Sequence, residues 1–175
     1  MFLRAFLSFA LALAIALPAI AQVRKAELAG VRNYSKVDAT VGCAGATDAS
    51  AMKALKGEGY VSVINLRMPT EQGADVEAGR AAAETAGLKY FHLPFNTAMP
   101  DASVVTMFLA TVADKSNQPV FIHCGSANRV GGMWMIKRVL QDKWPMDKAR
   151  EEAGAIGLRE DATIAFVTQY INSHK

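Results

Sequence analysis

The chain has 175 residues, 51% of them hydrophobic and 20% charged, and a formal net charge of +3. A charge that small does not argue for a nucleic-acid partner or an anionic membrane surface, and three scattered histidines with two distant cysteines do not supply metal-ligand spacing. No repeat, low-complexity tract or linker divides the sequence, and its length suits one domain with its own core.

Residues 1–21 read MFLRAFLSFALALAIALPAIA. One cation, Arg4, precedes an apolar run, and Ala19-Ile20-Ala21 closes it with small residues where a signal peptidase cleaves. This is the pattern of a secretory signal peptide cut between Ala21 and Gln22, so a periplasmic or secreted location is expected. The run is short for a membrane span and is broken by Pro18, so no stable membrane anchor is expected. Removal leaves a single domain over residues 22–175 and, because Arg4 departs, lowers the charge from +3 to +2.

Residues 22–41 read as an irregular lead-in with one short strand. Thr47 and Asp48 offer N-caps for a helix through Leu55 that Gly57 and Gly59 stop. Residues 60–66 (YVSVINL) are rich in β-branched side chains and predict a buried strand, with a loop over 69–73. A helix over 75–86 ends at Gly87, and 89–94 alternate as a second strand. Pro100-Asp101 opens a helix through Val112. The short apolar strand 120–123 (VFIH) precedes a long helix from about 130 to 141, and two further helices follow, one opened by residues 144–147 and one over 161–172. Met133, Trp134 and Met135 are expected in the core. Strands that alternate with helices predict an α/β fold, a mainly parallel central sheet flanked by helices. In such sheets the ligand sits beyond the carboxyl ends of the strands, where the chain after His123 lies.

That stretch, residues 120–132, reads VFIHCGSANRVGG. A buried strand ends at Cys124. Gly125, Ser126, Ala127 and Asn128 follow, and Arg129 then sits at the first turn of a helix. Small residues let the backbone curl so that several N–H groups form an anion nest. The helix N-terminus adds unpaired N–H groups and a positive dipole end, and an arginine supplies a planar fork for an oxyanion. The same field favours a thiolate at Cys124, a nucleophile aimed at the anion's central atom.

HCGSANRVGG, together with VINLR at residues 63–67 and YFHLPF at 90–95, resembles the bacterial phosphatase-like domain family. That family is related to dual-specificity phosphatases and includes the N-terminal domain of beta-lactamase hydrolase-like proteins. The likeness extends from about Asn33 to Ile171. It implies the cysteine-phosphatase fold and a phosphocysteine mechanism with no cofactor. Cys124 would attack phosphorus, the amides from Gly125 to Arg129 would hold its oxygens, Arg129 would clamp two of them, and His123 would fix the loop through hydrogen bonds. The partner it implies is a phosphorylated or other oxyanion substrate.

Three departures bear on activity. Protein phosphatases carry five residues between Cys and Arg, whereas this chain carries four; six-residue loops that begin with Cys are also typical of rhodanese-like sulfurtransferases. Val130 stands where phosphatases usually place Ser or Thr. The general acid that protonates the leaving oxygen has Asp101 as its natural candidate, although Asp101 also suits an ordinary helix cap, and Glu71 is a second candidate. Arg67, at the end of a central strand, either adds positive potential for substrate or pairs with Glu71. Cys43 reads as a redox partner of Cys124, as half of a permanent disulfide, or as an unpaired buried thiol. The readings that stand are a phosphatase acting on phosphate monoesters, a sulfurtransferase with a persulfide on Cys124, and a non-catalytic oxyanion-binding module.

Overall fold

The structure, a computed structural model, describes residues 23–175; the expected signal peptide and its cleavage point lie outside the described residues. The chain begins with β1 (Arg24–Lys25), β2 (Ser35–Asp38) and β3 (Val41–Ala44), then runs through α1 (Met52–Gly57), β4 (Ser62–Asn65), α2 (Val76–Thr85), β5 (Lys89–His92), α3 (Ala102–Ala113) and β6 (Val120–His123). It ends with α4 (Asn128–Leu140), α5 (Met146–Ile156) and α6 (Asp161–His174). One sheet holds the strands in the order β1-β2-β3-β6-β4-β5. The neighbours β3, β6, β4 and β5 are parallel, whereas β1 and β2 are antiparallel. This is the expected α/β architecture.

The single short strand expected before Val41 is in fact a two-stranded edge, with β3 following at residues 41–44. In β2 the residues Ser35 and Val37 are buried while Lys36 and Asp38 are half-buried. That alternation fits an edge strand with one wet face, but four residues, three of them polar, carry too little pattern to declare it. The central strands are different. All four residues of β4 and all four of β6 are buried, because helices cover both faces of a parallel sheet.

The alternation along β6 assigns the two cores. Val120, Ile122 and Cys124 belong to the larger core, built with α3, α4, α5 and α6. Phe121 belongs to the smaller core with α1 and α2, where the Tyr34 and Tyr60 rings meet it edge-on. The expected core residues Met133, Trp134 and Met135 are buried on α4. Arg138, also on α4, is a buried charge that the sequence does not advertise. It donates to Glu152 on α5 through Nε (2.7 Å) and Nη2 (2.9 Å), and to Asp38 of β2 at 2.8 Å, so that one guanidinium ties a strand edge to two helices.

Because α4 leaves β6 through the Cys124 loop, whatever fixes α4 fixes the loop. Gly131 sets the closest approach: a Cβ there would lie 2.7 Å from the Ala153 carbonyl oxygen and 2.9 Å from the Leu158 nitrogen, both backbone atoms. Gly131→Ala is therefore expected to destabilise the fold by about 1–3 kcal/mol, the cost of overpacking a close-packed contact, and to weaken oxyanion binding by tilting α4. Urea unfolding and phosphate titration of the variant check both effects.

Candidate active site

The loop from Cys124 to Arg129 is held from outside. The Gly125 carbonyl accepts from the Ala46 N–H (3.0 Å), and the Ser126 carbonyl accepts from Asn33 Nδ2 (3.2 Å). In a trans peptide the carbonyl and the next N–H point in opposite directions, so anchoring these carbonyls outward turns the following N–H groups inward. Ala127 then adopts a left-handed conformation with φ of 73°, an uncommon one for a residue with a Cβ. The turn after α5 presses on it, since a Cβ at Gly157, whose own φ is 151°, would lie 2.9 Å from the Ala127 Cβ. The chain enters α4 at Asn128, two residues earlier than the sequence pattern indicated.

Asn128 is buried, and its side chain serves structure. Nδ2 donates to Thr163 Oγ1 at 2.8 Å, and Oδ1 accepts from the Arg159 and Glu160 N–H groups at 2.9 and 3.0 Å. Its contribution to an anion site is therefore that of its backbone N–H.

Arg129 is pinned by four acceptors. Nη1 donates to Glu71 Oε1 (2.6 Å) and to the Leu66 and Phe95 carbonyls (both 3.1 Å), while Nη2 donates to Glu71 Oε2 (2.8 Å). A guanidinium has five N–H groups in a fixed plane. These contacts engage both protons of Nη1 and one of Nη2, and leave the Nε proton and the second Nη2 proton side by side as a lateral fork. Burial pushes the Arg129 pKa down, but Glu71 and the Cys124 sulfur outweigh it and hold it raised. The charge is permanent, and it stands next to the thiol.

Glu71 is thus placed as the partner of Arg129. Burial pushes its carboxyl up, but the hydrogen bond from Arg129, the Met68 N–H (2.7 Å) and the Arg129 charge hold it below the ordinary carboxylate range. An ionised carboxylate has no proton to give, so Glu71 does not fit the general-acid role. Arg67 is placed otherwise than as a substrate-facing cation. It is buried, with Nη1 donating to the Gly73 carbonyl (2.8 Å), Nη2 to the Gln72 carbonyl (2.7 Å) and Nε to Glu71 (3.3 Å). All three nitrogens brace the turn that carries Glu71.

His123 points away from the loop. It follows Phe121 onto the smaller core's face, stacks on that ring with centroids 6.1 Å apart, and makes no hydrogen bond to another protein group. The expected hydrogen-bonded support of the loop is absent, because the strand's alternation sends Cys124 and His123 to opposite faces. Burial, then the Arg67 and Arg129 charges, lower the His123 pKa to about 3. Asp101 caps α3, accepting from the Ser103 N–H at 2.8 Å, and is exposed. Hydrogen bonds from the Ser103 hydroxyl and then its N–H hold the Asp101 carboxyl below the usual range. Asp101 does not line the cavity above Arg129.

Cys43 and Cys124 are both buried free thiols. Cys43 lies opposite Ile122 in the parallel register, so the two cysteines share a face but sit on a diagonal. Diagonal neighbours in a sheet are about 7–8 Å apart, beyond the usual Cα spacing of a disulfide, roughly 4.4–6.8 Å. Burial pushes the Cys43 thiol pKa well up.

A cavity of about 360 Å³ opens over this arrangement, lined by the turn after β4 (Met68, Thr70, Glu71), the loop after β5 (Phe95, Asn96, Thr97), Ser126, Asn128, Arg129 and Glu160. The sequence offered no sign of Glu160, which reaches the site only because Asn128 holds its backbone. Nor did it reveal the Glu71–Arg129 pair, whose members are 58 residues apart.

Residues 33–141 match the phosphatase-like domain of the beta-lactamase hydrolase-like protein family. The chain belongs to this family. No curated protein matches it in sequence. Among solved structures, this phosphatase-like domain is similar to a DUF442 protein from Shewanella putrefaciens CN-32, at 20% identity over 83% of this chain and 95% of that one, with a TM-score of 0.71. It is also similar to TpbA of P. aeruginosa (19% identity, 91% and 94% of the two chains, TM-score 0.67). A third is the core catalytic domain of the PP-IP phosphatase SIW14 from S. cerevisiae, solved with citrate (18%, 85% and 89%, TM-score 0.67). These likenesses establish the cysteine-phosphatase fold.

Two predictions rest on this geometry. Glu71→Ala frees the guanidinium and is expected to lower kcat/KM on a phosphate ester by about tenfold or more, the scale of a misplaced catalytic group, with Glu71→Gln less severe; steady-state kinetics check this. The second concerns acid sensitivity. Unfolded His123 takes a proton below pH about 6.5, whereas the folded residue does so only near pH 3, so the unfolded chain binds more protons in that window and stability falls as pH drops through it. His123→Leu is expected to flatten the dependence of the urea midpoint between pH 6.5 and 4.

Proposed function

We propose that the protein is a cysteine-dependent phosphatase acting on phosphate monoesters. The observation that carries this reading is the free lateral edge of Arg129 beside the buried Cys124 thiol, in a loop whose carbonyls are tied outward. A phosphate bound to that edge and to the loop N–H groups presents phosphorus to sulfur. The Cys124 sulfur supplies the electron pair of the new S–P bond, and the P–O bond to the leaving group breaks with its electrons on oxygen. Water then attacks the phosphocysteine, the S–P bond breaks and inorganic phosphate departs. The fork, the amides and the α4 N-terminus hold the negative charge throughout.

Glu71, on the cavity wall, is ionised and paired with Arg129, and Asp101 caps α3 outside that wall, so neither is placed as an acid for the leaving oxygen. The reading therefore favours substrates whose leaving oxygen is stable without an immediate proton, such as aryl phosphates. TpbA, one of the fold relatives, has been solved as a cysteine-to-serine variant in complex with pTyr, an aryl phosphate.

A persulfide-carrying role draws support from the six-residue loop and from Asp101 and Glu71 both being placed otherwise than as a general acid. The bidentate edge suits a tetrahedral oxyanion in either reaction, but a sulfur carrier has no need of a guanidinium immobilised by four acceptors. The expected location is outside the cytoplasm, supported by the Arg4-led apolar stretch that ends at Ala21; among the described residues no helix is long and apolar enough to cross a membrane.

Incubation with p-nitrophenyl phosphate is expected to release nitrophenol, with Cys124→Ser inactive and acid-quenched wild type carrying phosphate on the Cys124 peptide. Absence of turnover across aryl and alkyl phosphates, with the thiol shown to be reduced, overturns the proposal. Sulfur on that peptide after thiosulfate, without phosphate from any ester, favours the sulfur carrier.

A further inference from the structure

Resting on the phosphatase reading, we infer that Glu160 is a specificity-determining residue, which selects phosphate esters with cationic or neutral surroundings and rejects those that carry a second anion beside the phosphate. The charges that line the cavity lead to this. Among the described residues on its wall Arg129 is the only cation, and Glu71 already neutralises it with a bidentate pair. Arg67 is buried with its three nitrogens engaged, and exposed Arg159, the neighbour of Glu160 in sequence, does not line the cavity. What remains is Glu160, exposed and in no ion pair among the described residues.

A single phosphate is well received, by the fork, the loop N–H groups and the positive end of α4. Anything anionic next to that phosphate finds no second cation on the cavity wall, among the described residues, and faces a carboxylate there. A lysine or arginine in the same place gains an exposed ion pair.

The position of Glu160 is fixed by the anion loop itself. Its N–H donates to Oδ1 of Asn128, whose Nδ2 in turn donates to Thr163 Oγ1 at the first turn of α6. The carboxylate therefore has a defined origin relative to Arg129, although it lies 31 residues further along the chain. Arg159 shares this anchor through its own N–H, but its side chain is not part of the cavity wall. The family match ends at residue 141, so the segment that supplies Glu160 lies outside the matched region, and this selectivity is argued from the chain's own residues.

Binding separates this inference from the catalytic reading, because it can be measured without turnover. Two phosphotyrosine peptides, one flanked by lysines and one by glutamates, are titrated into Cys124→Ser at low salt by fluorescence polarisation. The lysine-flanked peptide is expected to bind about two- to fivefold tighter, the scale of an exposed charge pair, and the difference is expected to fade at high salt. Adding E160K to that variant is expected to remove or invert the ratio. E77K makes the same charge change on α2, outside the cavity wall, and is expected to leave the ratio alone. Equal binding of the two peptides, tighter binding of the glutamate-flanked one, or an E77K effect as large as that of E160K overturns the inference. Wild-type turnover of p-nitrophenyl phosphate is read separately: failure there with the binding ratio intact removes the phosphatase reading and keeps the charge selectivity.

Discussion

The bidentate contact between Glu71 and Arg129 is the constraint around which the site is arranged. It fixes the plane of a guanidinium that would otherwise sweep through many rotamers, and it decides which edge of that plane faces the Cys124 sulfur. A carboxylate partly removed from water tends to gain a proton; here the donors from Arg129 and the Met68 N–H outweigh that tendency and keep it charged. The pair demands in turn that the turn after β4 hold its shape. Arg67 meets that demand by donating to two successive carbonyls of the turn as well as to Glu71. The line of support runs from a buried strand-end arginine, through a turn and its carboxylate, to the arginine that lines the cavity.

A second line of support comes from the opposite side and uses packing. Helix α4 is buried along nearly its whole length, so its N-terminus has little freedom. Gly131 allows the turn after α5 to approach its backbone, and Gly157 allows the same turn to press on Ala127. The left-handed backbone at Ala127 is over-determined by these contacts, as a strained residue at a functional site must be. Asn128 completes the arrangement by tying the loop to the start of α6.

The parts of this design that were legible in the sequence are local. The strand at residues 120–123, the small-residue loop and the helix beyond it follow from patterns a few residues long, as does the Asp101 cap, and their placement on the sheet follows from the alternation of strands and helices. The parts that were not legible depend on distant partners. Arg67 and Glu71 looked like an isolated pair because they are four residues apart; that contact exists, at 3.3 Å, but the shorter bonds of Glu71 go to Arg129. His123 could not be assigned a face until β6 had a register. The β1–β2 edge escaped notice because short, polar strands carry little periodicity. Glu160 escaped because nothing near it in sequence points to an anion site.

The short loop and the valine after the arginine, which seemed to weaken a phosphatase reading, take a different meaning once the helix start is known. Of the six residues from Cys124 to Arg129, the last two already belong to α4. The first N–H groups of a helix have no partner within it, so the helix itself provides donors that a longer loop would have provided with its own backbone. Val130 lies one residue further on and is fully buried in the larger core, where a hydroxyl would have to be stripped of water. A hydroxyl at position 130 is therefore disfavoured by how this helix packs. In the proposed mechanism the departing sulfur is stabilised by the same N–H groups and helix dipole that would receive the phosphate. A compact cup closed by a helix end thus performs two duties that longer loops divide between backbone and hydroxyl, and it does so only while α4 stays where Gly131 and Gly157 allow it to sit.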